Sequence, residues 1–252
     1  MRRKIAAGNW KLNGDRAFAD ALIGALQVPQ ASDVEVLVFP PMVYVAGLAS
    51  KFAGRGIGFG AQDVSENAKG AYTGEVAASM LQDVGARHAL VGHSERRQYH
   101  GETSDIVARK FVAAKAAGVT PVLCIGETLA EREAGLTEAR LTEQLDAVFD
   151  AAGPQALAGA IVAYEPVWAI GTGKTASPAQ AQEVHAFIRG QAARRDANIA
   201  GSLPILYGGS VKADNAAELF AQPDVDGGLV GGASLLVDEF NGIIAAAVAS
   251  RN

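Results

Sequence analysis

The chain has 252 residues, of which 49% are hydrophobic and 19% charged, and its formal net charge is −5. This balance is typical of a globular protein and argues against a general nucleic-acid or anionic-membrane binder, although a local group of donors can still bind a small anion. One cysteine, Cys124, cannot form an internal disulfide, so we expect a reducing compartment, the cytoplasm.

Short apolar runs recur along the whole chain and predict eight β-strands. They lie at Lys4–Gly8, Val34–Phe39, Ile57–Ala61, Ala89–Gly92, Val122–Ile125, Ile161–Tyr164, Pro204–Tyr207 and Gly228–Val230. Most are nearly continuous rather than alternating, which is typical of parallel strands covered on both faces. No run is long enough for a signal peptide or approaches the roughly 20 apolar residues of a membrane span, so we expect neither.

Helical patterns lie between these runs. We predict helices at Ala17–Leu26, Glu75–Val84, Ser104–Ala117, Ala179–Arg194 and Asp238–Ala249. The fourth is preceded by Ser177 and Pro178, an N-cap followed by a proline suited to the first helical position.

Eight strand–helix units predict one (β/α)₈ barrel that occupies residues 1–252 as a single domain. Successive strands are about 20–45 residues apart, which is enough for one crossover helix each. A doubly wound open sheet is the alternative. It usually has fewer strands and a glycine-rich turn after the first, where this chain has Gly8-Asn9-Trp10-Lys11.

A barrel of this kind carries its catalytic groups at the C-terminal ends of the strands. The residues found there are Asn9 and Lys11 after the first strand, His93 and Glu95 after the fourth, and Glu165 after the sixth. A lysine or glutamate alone is usually solvated surface, but a histidine directly after an apolar strand is unusual. The four histidines lack metal-ligand spacing, so we expect no metal site.

Glu165 precedes Pro166, and a residue before proline is pushed out of the helical region, which restrains the glutamate at its strand end. A long loop follows, consisting of Pro166, Val167, Trp168, Ala169, Ile170, Gly171, Thr172, Gly173 and Lys174. Its stiff base and small tip suggest a lid, although an ordinary surface loop is equally compatible with the residues alone. A nucleotide-binding P-loop is rejected, because that motif needs glycine where Trp168 lies.

Two glycine-rich segments follow the last two strands and predict phosphate binding. They are Gly208-Gly209-Ser210 and Gly231-Gly232-Ala233-Ser234. Glycine lets backbone N–H groups approach an anion closely, and the N-terminus of a following helix adds favourable partial charge. Tight turns also use glycine pairs, so the signal comes from their position after strands seven and eight.

Taken together, these segments resemble the triosephosphate isomerase family, in the family's order from residue 8 to 235. The matching stretches are Gly8-Asn9-Trp10-Lys11, Val91-Gly92-His93-Ser94-Glu95-Arg96-Arg97, Cys124-Ile125-Gly126-Glu127, Ala163–Lys174, Tyr207-Gly208-Gly209-Ser210-Val211 and Leu229–Leu235. The resemblance implies a homodimeric enzyme of glycolysis and gluconeogenesis without a cofactor, interconverting D-glyceraldehyde 3-phosphate and dihydroxyacetone phosphate through an enediolate.

The resemblance also implies a role for each site residue. Glu165 is the proton-transferring base and His93 the electrophile, neutral because a helix N-terminus lowers its pKa. The local sequence agrees with this, because Ser94 is a residue suited to cap a short helix right after His93. Lys11 supplies positive charge, Asn9 adds a donor and Glu95 supports them. The phosphate binds backbone N–H groups of Gly171, Ser210, Gly231 and Gly232, and lid closure excludes water. The loop Gln62 to Gly74 reaches a second subunit near Asn9 and Lys11.

Two other functions compete with this interpretation. A lysine-dependent aldolase has a similar barrel, but it needs an inward lysine, often on the sixth strand, where this chain has Glu165. A non-catalytic protein that kept the fold is the second alternative, because fold alone never proves function.

Overall fold

Eight parallel strands form a closed barrel in the computed structural model, which describes residues 2–29, 34–171 and 175–250. Each strand pairs with its neighbours in chain order, and the last closes on the first. The strands are β1 (Lys4–Asn9), β2 (Val34–Phe39), β3 (Ile57–Ala61), β4 (His88–Val91), β5 (Thr120–Ile125), β6 (Ile161–Tyr164), β7 (Ile205–Tyr207) and β8 (Gly227–Val230). The predicted barrel and all eight predicted strands are therefore confirmed, with ends that differ by at most two residues.

Helices surround the barrel. Within the described residues they are α1 (Arg16–Ala25), α2 (Met42–Lys51), α3 (Ala78–Asp83), α4 (Ser94–His100), α5 (Ser104–Ala116), α6 (Leu129–Glu133), α7 (Thr137–Ala152), α8 (Pro178–Arg195), α9 (Ala197–Ser202), α10 (Ala216–Phe220) and α11 (Val237–Ala249). None of those in the described ranges has the length and apolar character to cross a membrane.

The predicted helix Glu75–Val84 is wrong at its start, since α3 begins only at Ala78. The N–H of Glu75 donates to Tyr72 O, and Val76 O accepts from the N–H of Ser65, so these two residues belong to the preceding loop. Ala77 is still extended, with ψ of 153°. Glu75 therefore ends a turn and does not start the helix.

The core has two layers. Alternate strand residues point outward against the helices, and the others fill the barrel, where Ile5, Leu37, Cys124 and Leu206 are fully buried. Phe39 also belongs to the inner layer, and a Cβ on Gly60 would lie 2.3 Å from its ring, so glycine makes room for it. The Cys124 thiol is free and packs within this inner layer.

Helix α8 carries the caps that the sequence predicted. The Ser177 side chain accepts from the N–H of Gln180, the Gln180 side chain accepts from the N–H of Ser177, and Pro178 is the first helical residue. The buried face of the helix includes His185, which is completely enclosed. Its Nδ1 lies 3.2 Å from the carbonyl oxygen of Asp224 and donates to it.

Burial lowers the pKa of His185 from 6.5 to about 4, because the charged ring would lose its solvation. Between about pH 6.5 and pH 4, His185 therefore binds a proton in the unfolded chain but not in the folded one. The contribution of His185 to stability is fully present above about pH 6.5 and is lost as the pH drops towards about 4.

Between pH 7 and pH 5, His185 should lower the unfolding free energy of the wild type by about 2 kcal/mol. We expect His185→Asn to lack this part of the decrease. Asparagine does not titrate, so this pH-dependent part disappears, whatever constant loss of stability the smaller side chain adds. Urea unfolding at fixed protein concentration measures it. His100→Asn is the matched control, because His100 is exposed; an equal effect of both substitutions would contradict the assignment.

Candidate active site

A cavity of about 520 Å³ opens at the C-terminal ends of the strands. It brings together eight of the nine predicted catalytic and substrate-binding residues: Asn9, Lys11, His93, Glu165, Gly171, Ser210, Gly231 and Gly232. Glu95 does not line the cavity but forms an ion pair with Lys11 Nζ. Residues from five different strand ends therefore meet in one pocket.

The backbone of Glu165 is held tightly against the end of β5. Its N–H donates to Ile125 O at 2.7 Å. A Cβ on Gly126 would lie 1.8 Å from Glu165 O, so no other residue fits at that position without moving the glutamate. The restraint on Glu165 thus comes from β5 as well as from Pro166.

The Glu165 carboxylate is 2% exposed and has two partners from the β4–α4 junction. Its Oε1 lies 2.9 Å from His93 Nε2, and its Oε2 accepts from the N–H of Ser94 at 2.8 Å. Burial by itself raises the pKa of Glu165, but the charge and hydrogen bond of His93 outweigh it. The N–H of Ser94 and the charge of Lys11 act in the same direction, so the pKa lies below its usual value.

His93, and not Ser94, is the N-cap of α4, which corrects the predicted cap. Its Nδ1 accepts from the N–H of Glu95 at 3.2 Å. Ser94 is the first helical residue. Because Nδ1 accepts, the neutral ring carries its proton on Nε2, where it donates to Glu165.

The pKa of His93 also differs from the expectation. Burial lowers it, but the Glu165 carboxylate and its hydrogen bond raise the net pKa above 6.5. A full negative charge 2.9 Å from Nε2 acts more strongly on the ring than the partial charge of a seven-residue helix. In the part of the chain that the structure describes, no group of three or more His, Cys, Asp or Glu side chains is arranged to hold a metal ion.

Lys11 adopts a left-handed backbone conformation, with φ of 52°. This is uncommon for a residue with a side chain, and local hydrogen bonds hold it. Its N–H donates to Asn9 Oδ1 at 3.0 Å, and Gln62 Nε2 donates to its carbonyl at 2.8 Å. With Nζ paired to Glu95, the lysine charge is fixed at the rim of the cavity.

The glycine-rich ends of β7 and β8 form another part of the cavity wall. A short 3₁₀ turn begins at Gly232, and the first N–H groups of such a turn have no acceptor within it. The buried Ser234 hydroxyl donates to Gly231 O at 2.7 Å and fixes the turn. Ile170, predicted as a lid residue, also lines the cavity. Sequence reasoning missed Lys212, which lines it too; its proximity to the segment Gly208-Gly209-Ser210 was the only signal.

The loop after β6 is attached at both ends by buried groups. Near its start, Glu127 Oε1 accepts from Trp168 Nε1 at 2.9 Å and from the Tyr164 hydroxyl at 3.0 Å. Beyond it, the N–H of Ala176 donates to the Tyr207 hydroxyl at 3.1 Å. The predicted lid residues Thr172, Gly173 and Lys174 lie outside the described residues.

The fold and the cavity are those of a (β/α)₈-barrel enzyme, which carries its ionisable groups at the C-terminal ends of the strands. A sequence profile described as triosephosphate isomerase matches residues 4–247. The triosephosphate isomerases of Xanthomonas axonopodis pv. citri and Xanthomonas campestris pv. campestris are each 63% identical to the chain, over 99% of its length and 100% of theirs. That of Stenotrophomonas maltophilia is 62% identical over the same shares. The chain belongs to the triosephosphate isomerase family.

Proposed function

We propose that the protein interconverts D-glyceraldehyde 3-phosphate and dihydroxyacetone phosphate by proton transfer through an enediolate. Membership of the family supports this reaction. The observation that carries it is the buried Glu165 carboxylate, kept ionised 2.9 Å from His93 Nε2. The single cysteine is free and buried, which supports a cytoplasmic location.

Glu165 removes a proton from the carbon next to the carbonyl and returns it to the neighbouring carbon. The Nε2 proton of His93 is given to the carbonyl oxygen as negative charge develops there, and the ring recovers a proton from the adjacent hydroxyl. Lys11 stabilises the enediolate because its charge is already held in place by Glu95. A carbon acid beside a carbonyl needs only a base and an electrophile, so this reaction requires no cofactor.

The phosphate group is held by backbone N–H groups of Gly171, Ser210, Gly231 and Gly232, with Lys11 at the rim. Closure of the lid Pro166–Lys174 excludes water, strengthens these contacts and keeps the enediolate from losing phosphate. The long loop, its two attached ends and the cavity beside Gly171 support this role.

We expect Glu165→Gln to lower kcat by about 10²-fold or more, because a neutral amide cannot accept the proton. A coupled assay on D-glyceraldehyde 3-phosphate measures it. Glu133→Gln is the matched control, since Glu133 is exposed on α6. Equal rates for wild type and Glu165→Gln would overturn the mechanism, and a borohydride-trapped sugar adduct on Lys11 would indicate an aldolase instead.

A phosphorylated two-carbon carboxylate, 2-phosphoglycolate, should inhibit competitively, because its carboxylate mimics the enediolate and its phosphate occupies the glycine-rich wall. Bound, it should also slow proteolytic cleavage within the lid segment. Glycolate without phosphate is the control for the phosphate contacts. If 2-phosphoglycolate gives neither competition nor protection, the phosphate site is assigned wrongly.

The protein acts as a homodimer, in which the loop Gln62–Gly74 contacts a second copy. Large apolar side chains are exposed after each of the first four strands: Leu12 (95%), Val43 (82%), Tyr72 (50%) and Tyr99 (71%). These strands are neighbours in the barrel, so the exposed groups lie on one side. Large apolar side chains exposed on the same side of a protein favour a protein–protein contact there.

Tyr72→Asp should weaken dimerisation by on the order of 30-fold, because an aromatic anchor is replaced by a charge. Sedimentation velocity over a dilution series measures the dissociation constant. Leu136→Asp is the control, since Leu136 is equally exposed, at 50%, but follows α6. A monomeric wild type, or an unchanged constant in Tyr72→Asp, would contradict the dimer surface.

A further inference from the structure

Two tyrosines that end neighbouring strands hold the two ends of the loop after β6. Tyr164 ends β6 and Tyr207 ends β7, and they are paired in the strand register. The Tyr164 hydroxyl shares Glu127 Oε1 with the indole N–H of Trp168, near the start of the loop. The Tyr207 hydroxyl accepts from the N–H of Ala176, just beyond the loop.

The ring of His185 lies against both phenol rings. Its centroid is 5.8 Å from that of Tyr164, with an interplanar angle of 87°, and 6.3 Å from that of Tyr207, with an angle of 37°. The two tyrosine rings are themselves 6.5 Å apart. Three aromatic rings therefore form one packed cluster in which the histidine contacts both tyrosines.

The histidine ring is itself fixed. It lies on the buried face of α8, and its Nδ1 donates to the carbonyl oxygen of Asp224, which connects it to the segment before β8. Arg189 Nη2 donates to the same carbonyl oxygen at 3.1 Å. The ring thus has a defined orientation, and the Asp224 carbonyl keeps a donor even when the histidine is replaced.

We propose that His185 is a positioning residue for the isomerisation: its ring holds Tyr164 and Tyr207 at the orientations in which their hydroxyls attach the two ends of the loop. The inference rests on the proposed function, because its consequence for turnover depends on closure of that loop over the substrate. Interiors are close-packed, so removal of the ring lets both tyrosines relax into the space it leaves. Displacement of either hydroxyl then loosens one end of the loop.

Two substitutions separate the ring from its hydrogen bond. His185→Asn keeps a donor near the position of Nδ1 but removes the ring, whereas His185→Phe keeps a flat ring and removes the donor. We expect His185→Asn to lower kcat/KM by on the order of tenfold, through poorer closure over the substrate. His185→Phe should recover most of this loss, even though its melting temperature falls.

Fluorine NMR with 5-fluorotryptophan observes the loop directly, because the chain contains only two tryptophans. Trp168 reports on the start of the loop, and Trp10, which packs on Phe18, reports on β1. Assignment uses Trp10→Phe. We expect His185→Asn to change the shift and the 2-phosphoglycolate response of the Trp168 resonance and to leave that of Trp10 unchanged.

Ile188→Ala is the control for stability alone, because Ile188 lies on the same buried face of α8 and is fully enclosed. It should lower the melting temperature without changing kcat/KM or the Trp168 resonance. If His185→Asn behaves like Ile188→Ala, or if His185→Phe fails to recover kcat/KM, the positioning role is wrong. If instead the proposed function is wrong, the wild type is inactive, but His185→Asn still changes the Trp168 resonance.

Discussion

The site depends on a carboxylate that is removed from water without losing its charge. Desolvation of an ionised group costs several kcal/mol unless other groups replace the lost water. For Glu165 the replacements are the Nε2 proton of His93 and the N–H of Ser94, both from the β4–α4 junction. Neither oxygen of the carboxylate is left without a donor. The result is a buried base whose pKa stays low and whose partner is a proton donor.

This arrangement requires two strand ends that are not neighbours to reach the same point. β4 and β6 are separated by β5, and the closed barrel directs all three ends into one mouth. β5 contributes glycine at the crossing point: any side chain at position 126 would collide with Glu165 O. Gly126 is therefore needed for the backbone position of Glu165, and the closed barrel is needed to bring His93 into contact with it.

Much of this was accessible from the sequence because the barrel has strong local signals. Continuous apolar runs predict the strands, and Ser177-Pro178 predicts the start of α8, since caps and periodicity are local. Helix α7 was missed although Leu141, Leu145 and Val148 have helical spacing, because no side-chain cap marks its start at Leu136. Helices α6 and α10 have only five residues each, too few to show a period.

The geometry within the site was less predictable. The motifs name Glu165 and His93, but their separation, the N-cap role of His93 and the net direction of its pKa depend on contacts across the barrel. Lys212 lines the cavity without any motif of its own. Long-range packing decides which neighbours of a motif face the cavity, and sequence periodicity carries no information about it.

The segment after β5 shows why the base and the loop are inseparable in this chain. Gly126 admits the Glu165 backbone, and the adjacent Glu127 is fully buried with Tyr164, Trp168 and Arg132 donating to it. The Arg132 guanidinium also lies 4.8 Å from the Trp168 ring centroid. The Glu127 carbonyl also accepts from the N–H of Val167 at 3.1 Å. Because Gly126 and Glu127 are adjacent, any shift of this segment moves the base and the start of the loop together. The base and the loop, which must act together in the proposed reaction, are therefore held by the same segment.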